Sequence, residues 1–100
     1  MIVKRGTNIG NGNQRVTTPG TAMPLTNTST PCFLVEVVAN LNNVGVLTVG
    51  GNTVVGAVTG RSGIPLNAGD VFTVTDVDNL NKIWIDVVSG GDGVTYVYFY

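Results

Sequence analysis

Histidine is absent from this 100-residue sequence. With it go the usual general base, the commonest metal ligand, and every Ser–His or Cys–His nucleophile pair. Charge is nearly as scarce. Charged residues make up 11% of the chain, against about 25% in an ordinary globular domain. With five basic and six acidic side chains the net charge is −1, so no concentrated positive field exists for a phosphate backbone, and no nucleic-acid partner is expected. Lys4, Arg5 and Arg15 are a local exception near the N-terminus. A single cysteine, Cys32, excludes an intrachain disulfide. Set before Phe33, Leu34 and Val35, it reads as a buried thiol packing as a small hydrophobe, and a disulfide-free small domain points to synthesis in a reducing cytoplasm. No apolar run approaches the ~20 residues of a membrane helix, and Met1–Gly6 is too short for a signal peptide. No membrane partner is expected.

Strong helix formers are also nearly missing. Glu36 is the only Glu, Gln14 the only Gln, and Lys4 and Lys82 the only lysines. Fourteen glycines break the chain every few residues, leaving no room for a helix of ordinary length. What remains is rich in Val and Thr, which are β-branched and suit a pleated surface. At 43% hydrophobic the chain has enough apolar surface to build a core rather than stay disordered. The fold class is therefore all-β.

Turn residues divide the chain into segments. Residues 1–14 read as a flexible arm, because Gly6, Asn8, Gly10, Asn11, Gly12 and Asn13 offer little to bury. Residues 15–100 read as one β-sandwich domain. Extended segments are expected at Arg15–Thr18, Ala22–Leu25 (an edge, given Pro24), Cys32–Ala39, Val44–Val49, Thr53–Thr59, Ile64–Leu66, Val71–Thr75, Ile83–Val88 and Val94–Tyr100. Gly50-Gly51-Asn52 and Ser89–Gly93 carry hairpin-turn composition. The spacing suits a seven- to eight-stranded antiparallel β-sandwich or a jelly-roll-like barrel with an extended N-terminal arm. In the last segment, alternation puts Val97 and Phe99 on one face, read as core. Tyr96, Tyr98 and Tyr100 then form an exposed or interfacial ladder, and Trp84 falls on the face shared with Asp86.

Residues for catalysis are sought without success. Asp70, Asp76, Asp78, Asp86, Asp92 and Glu36 could pair as in glycoside hydrolysis, but most of the aspartates lie in turn sequences where they bind backbone N–H groups. Asp76-Val77-Asp78-Asn79 opens like a calcium loop but fails at Leu80 and has no closing Glu. The glycine stretches lack a following helix and a Lys-Ser/Thr pair, so they make no phosphate loop. No cofactor, no metal and no enzymatic activity are expected.

From about Pro31 to Tyr100 the sequence resembles small all-β structural proteins of tailed-bacteriophage virions. The resemblance is carried by Thr30-Pro31-Cys32, Val49-Gly50-Gly51-Asn52-Thr53-Val54, Gly63 to Asp70, Ile83-Trp84-Ile85-Asp86 and Gly91 to Tyr96. Pro65 to Asp70 also resembles the turn of cupin-type jelly rolls, whose histidine metal site this chain cannot build. The virion resemblance implies a capsid decoration or cement protein on the outer surface of a phage head, or part of a head fibre or tail. It implies no catalytic residues. The expected partners are the major capsid protein or other virion proteins, and further copies of the chain, a trimer being favoured. The expected location is the virion, after synthesis in the host cytoplasm. Lys4, Arg5, Arg15, Trp84, Tyr96, Tyr98 and Tyr100 are the candidate contact residues, aromatic rings giving contact area at small entropic cost. The competing reading is a carbohydrate- or surface-binding module, with Trp84 and the tyrosines stacking on a sugar beside Asp76, Asp78 and Asn79.

Overall fold

The computed structural model describes residues 8–100. They form eight strands: β1 (Ile9–Arg15), β2 (Met23–Pro24), β3 (Leu34–Ala39), β4 (Leu47–Gly50), β5 (Ile64–Leu66), β6 (Val71–Val74), β7 (Trp84–Val87) and β8 (Gly93–Phe99). The helical content among them is one 3-10 turn at Leu80–Lys82, capped by the Asn79 side chain, which accepts from the Asn81 N–H. Two antiparallel four-stranded sheets result, ordered β1-β8-β3-β6 and β2-β7-β4-β5. The all-β reading holds. The sheets stay open at their edges, so the closed-barrel form of the expectation is not adopted.

Pairing is almost entirely long-range. The chain behaves as one hairpin turning between β4 and β5, with β3 against β6, β2 against β7, and β1 against β8. Rolling that hairpin brings β8 beside β3 and β7 beside β4. The local hairpins expected at Gly50–Asn52 and Ser89–Gly93 do not form. β7 and β8 lie in different sheets, and Thr53–Thr59 is no strand, touching Ser62 only through a bridge at Val55.

Alternation fixes which face of each strand is buried. Val35, Val37 and Val94 from the first sheet meet Leu47, Val49 and Ile85 from the second in one core. A fully buried Val contributes about 1.5–3 kcal/mol relative to an exposed one. A one-residue slip of β3 would therefore move Val35 and Val37 outward, at a cost of roughly 3–6 kcal/mol, and turn Glu36 inward, which pins the register.

That register reverses the expected faces of β8. Tyr96 is 7% exposed and belongs to the core, while Val97 and Phe99 face outward. The cause lies in β1. Tyr96 is registered between Gly12 and Val37, and Tyr98 between Gly10 and Val35. A Cβ on Gly10 would overlap the Tyr98 ring, and one on Gly12 would overlap the Tyr96 hydroxyl. The tyrosine rings thus cover a strand that has no inward side chains at these two positions. The Tyr96 hydroxyl reaches the Leu25 carbonyl at 3.4 Å, a long bond that still gives the buried group a partner.

The same geometry corrects the expected arm. Ile9–Gln14 pairs residue by residue with β8, and Gln14 donates from Nε2 to the Pro24 carbonyl at 2.8 Å. Residues 1–7 of that expected arm lie outside the described residues.

Candidate functional site

The five candidate contact residues among the described residues do not converge on one surface. Lys4 and Arg5 lie outside the described residues. Tyr96, Tyr98 and Tyr100 do form a ladder, with ring centroids 6.2 and 5.5 Å apart, but it runs from the core outward. Tyr96 is buried, Tyr98 packs against the core, and Tyr100 is half exposed. Burial, with Tyr98 alongside, raises the Tyr96 phenol pKa above its ordinary value. Arg15 ends β1, exposed, and Trp84 lies half-buried on the other sheet.

The reversal of β8 creates a surface that the sequence reading did not identify. On the outer face of the first sheet, Ile9, Phe99 and Leu34 make a continuous apolar row across β1, β8 and β3. Phe33 adds an aromatic contact to Phe99, with centroids 6.4 Å apart. Val97 occupies the middle of the face beside Glu36, and Val38 pairs with Val71 nearer the far end. Ile9 is 68% exposed and Val71 55%, so the other described residues leave these parts of the face uncovered. It runs into an open depression of about 620 Å³ lined by Val38, Leu41, Thr95, Asn13 and Arg15. Arg15 is therefore at the rim of this face, and Glu36 is the charge within it. Leu41, 85% exposed, extends the apolar character into the loop after β3.

The outer face of the second sheet is organised differently. Asp86 is 2% exposed there, and its carboxylate accepts from the N–H groups of Gly56 at 2.8 Å, Val87 at 2.9 Å and Gly20 at 3.0 Å. It thereby holds two connecting segments, around Gly20 and Gly56, against the sheet. Gly56 rides so close that a Cβ would press on the Asp86 and Val87 backbone. Asp92 plays the matching role at one end of the molecule, accepting from Val44 and Gly45 at 2.9 and 2.8 Å. Beside it the Asn43 side chain both donates to and accepts from the Gly93 backbone. These carboxylates are acceptors for the backbone, and their geometry gives them structural work.

Trp84, half-buried on this face, lines a second open depression of about 610 Å³. A third depression, of about 410 Å³, is lined by Cys32, Phe33, Asp76, Asp78 and Lys82. Lys82 donates to Asp78 at 2.7 Å, and this exposed contact lowers the Asp78 pKa below its usual carboxylate value. Burial, then the Asp78 charge, pushes the Cys32 thiol pKa up, which leaves it a weak nucleophile. No group of three or more His, Cys, Asp or Glu side chains able to hold a metal occurs among the described residues.

No protein-family model matches this chain, and comparison with curated proteins and with solved structures finds no similar protein.

Proposed function

We propose that this protein is a non-enzymatic structural subunit with a jelly-roll β-sandwich fold, acting by docking the outer face of its first sheet onto a symmetric assembly. The jelly-roll reading is supported by the strand orders, 1-8-3-6 and 2-7-4-5, the pattern produced when one long hairpin rolls into two sheets. That fold alone serves many functions, so the role rests on the surface.

The observation that carries it is the outward apolar row Ile9–Phe99–Leu34 with Val97 beside it. Contiguous exposed apolar patches of this kind mark contact sites in soluble proteins, and charge depletion is typical of interface centres. The resemblance to virion proteins supplies the setting: decoration of a phage head, with the major capsid protein and neighbouring copies as partners. Closed symmetric assembly, favoured as a trimer, also shields exposed sheet edges from unwanted pairing.

Light scattering coupled to size-exclusion chromatography tests the self-assembly on which the reading depends. A discrete oligomer is expected, returned to monomer by Val97→Lys with an unchanged β-sheet spectrum, since the new ammonium sits beside Glu36 and the fold tolerates it. A wild-type chain that stays monomeric up to about 1 mM, where a contact worth roughly 4 kcal/mol would be half formed, overturns assembly through this face.

A further inference from the structure

We infer that the depression around Trp84 is a binding subsite for a neutral pyranose unit of a polysaccharide chain. This goes beyond the docking face, which lies on the opposite sheet. Trp84 stands on the outer face of β7, and its cross-strand neighbours there are Pro24 on β2 and Gly50 on β4. Pro24 is buried and the Val54 side chain occupies the space over Gly50, so the half-buried indole is flanked on both neighbouring strands and its remaining exposed surface lines the depression. Asn27, Asn52 and Asn81 come to the same depression from three separate segments: the loop after β2, the turn after β4, and the 3-10 turn.

These three amides differ from those the fold employs. Gln14, Asn40, Asn43 and Asn79 all bond to another segment of the chain. Among the described residues, the side-chain amides of Asn27, Asn52 and Asn81 enter none of the hydrogen bonds that hold the fold. An amide offers two donors and an acceptor, the set needed by vicinal hydroxyls that each give and take a hydrogen bond. The indole face is electron-rich, and the axial C–H face of a pyranose is its complement. A concave site with one aromatic platform and a few convergent polar groups is the usual form of a small-ligand site.

Charge selects the ligand class. No carboxylate lines the depression, and its one cation, Lys82, is held by Asp78 at 2.7 Å. An ammonium ligand finds no counter-charge, and an acidic sugar gains little from Lys82, an exposed ammonium for which it would compete with Asp78 in open solvent, so a neutral hexose or N-acetylhexosamine unit fits best. Asp76 and Asp78, first expected beside the sugar, line a different depression and take no part.

Trp84 is the only tryptophan, so its emission reports this site alone. The test is a fluorescence titration of the full chain with neutral hexaoses of glucan, mannan, galactan and chitin type, with a galacturonan hexaose as the acidic comparison. A saturable change with at least one neutral hexaose is expected. Asn52→Ala and Asn81→Ala should each weaken it by about 2- to 10-fold, the range of a single hydrogen bond. By calorimetry, Trp84→Ala should weaken binding by roughly 30-fold, as removal of a central aromatic anchor does. The asparagine variants leave the sheets untouched, so they keep the test decisive even if Trp84→Ala misfolds. Unchanged emission with every neutral hexaose at about 10 mM overturns the inference. So does a response confined to galacturonan, or one that both asparagine variants retain at full strength.

Discussion

Asp86 offers the sharpest test of how this fold is held. Its carboxylate is almost completely buried, and the ion pair among the described residues joins Lys82 to Asp78, so Asp86 has no countercharge there. Its stabilisation comes from three backbone N–H groups, of Gly20, Gly56 and Val87, at 3.0, 2.8 and 2.9 Å. Replacing it with Asn keeps the shape but turns one acceptor oxygen into a donor, which must then face a backbone N–H. A hydrogen bond to a charged group contributes about 1.5–3 kcal/mol, and an orphaned buried donor costs about 1–3 kcal/mol. The neutral amide is easier to desolvate, which offsets part of the loss. Asp86→Asn should therefore destabilise by about 2 kcal/mol. Asp86→Ala, which orphans all three donors, should cost about 3–5 kcal/mol, a large share of the 5–15 kcal/mol typical of a domain. With a urea slope of about 1 kcal/mol/M, the Asn variant moves the unfolding midpoint by about 2 M. Amide exchange should show the loss first at Gly56, with β3 and β8 protected until global unfolding. An Asn variant within 0.5 kcal/mol of wild type, or a Gly56 amide that keeps its protection, would refute the reasoning.

Two further outcomes follow from the packing of the tyrosines and the thiol. Gly12→Ala should destabilise by roughly 1–3 kcal/mol and expose the β1 amides to exchange, because the buried Tyr96 ring cannot retreat from the new methyl. Gly10→Ala should cost less, since Tyr98 is only half-buried and can swing outward. The second concerns alkaline pH. Cys32 and Tyr96 both have pKa values raised above their ordinary ones, chiefly by burial. A raised acid pKa means that the folded state holds its proton more tightly than the unfolded chain. The stability from both groups is full below the unfolded values and is lost as pH rises through them towards the folded ones. Urea midpoints measured between pH 7 and 11 should fall above about pH 9, and the double substitution Cys32→Val, Tyr96→Phe should flatten that fall. A midpoint in the double variant that falls as steeply as wild type would contradict it.

The all-β class was legible because it rests on residue types summed over the whole chain, and the strand centres at β3, β6, β7 and β8 on local alternation. Three things were not legible, each for a physical reason. Pairing partners were hidden because only β4 and β5 pair with a sequence neighbour, so hairpin signals such as Gly50-Gly51-Asn52 marked turns without telling which strands meet. β1 was hidden because its inward positions 10 and 12 are glycine. A strand whose buried surface is provided by a partner's tyrosines carries no hydrophobic period of its own. The faces of β8 were hidden because alternation gives two sets, and choosing Val97 and Phe99 as core follows hydrophobicity alone. The choice turned on volume, since the glycines opposite leave room that Tyr96 and Tyr98 fill. Once that choice reverses, the proposed docking face moves with it, from the tyrosine ladder to Phe99, Val97 and Ile9. The Trp84 depression was half legible: the indole was found, but its three amides lie 27, 52 and 81 residues along the chain, and only the fold brings them together.

The scarcity of charge then has a structural meaning beyond solubility. Of the six acidic side chains, Asp86 and Asp92 are buried as acceptors for backbone N–H groups, and Asp70 accepts from Asn67 across the turn after β5. The chain secures its long connections with single carboxylates and amides acting over large sequence separations, such as Asn43 on Gly93 and Asn79 on Thr30. Ion pairs are not needed for that, and an exposed pair such as Lys82–Asp78 contributes little in water. The outer faces are thus left almost neutral. A neutral face cannot steer a partner from a distance, since long-range attraction needs opposed charge. It gains from apolar contact only at short range, which is consistent with the proposed docking onto a repeating assembly, where each site would be presented at high local concentration. The same neutrality on the Trp84 side disfavours ionic ligands and leaves hydroxyl groups as the partners its amides can recognise.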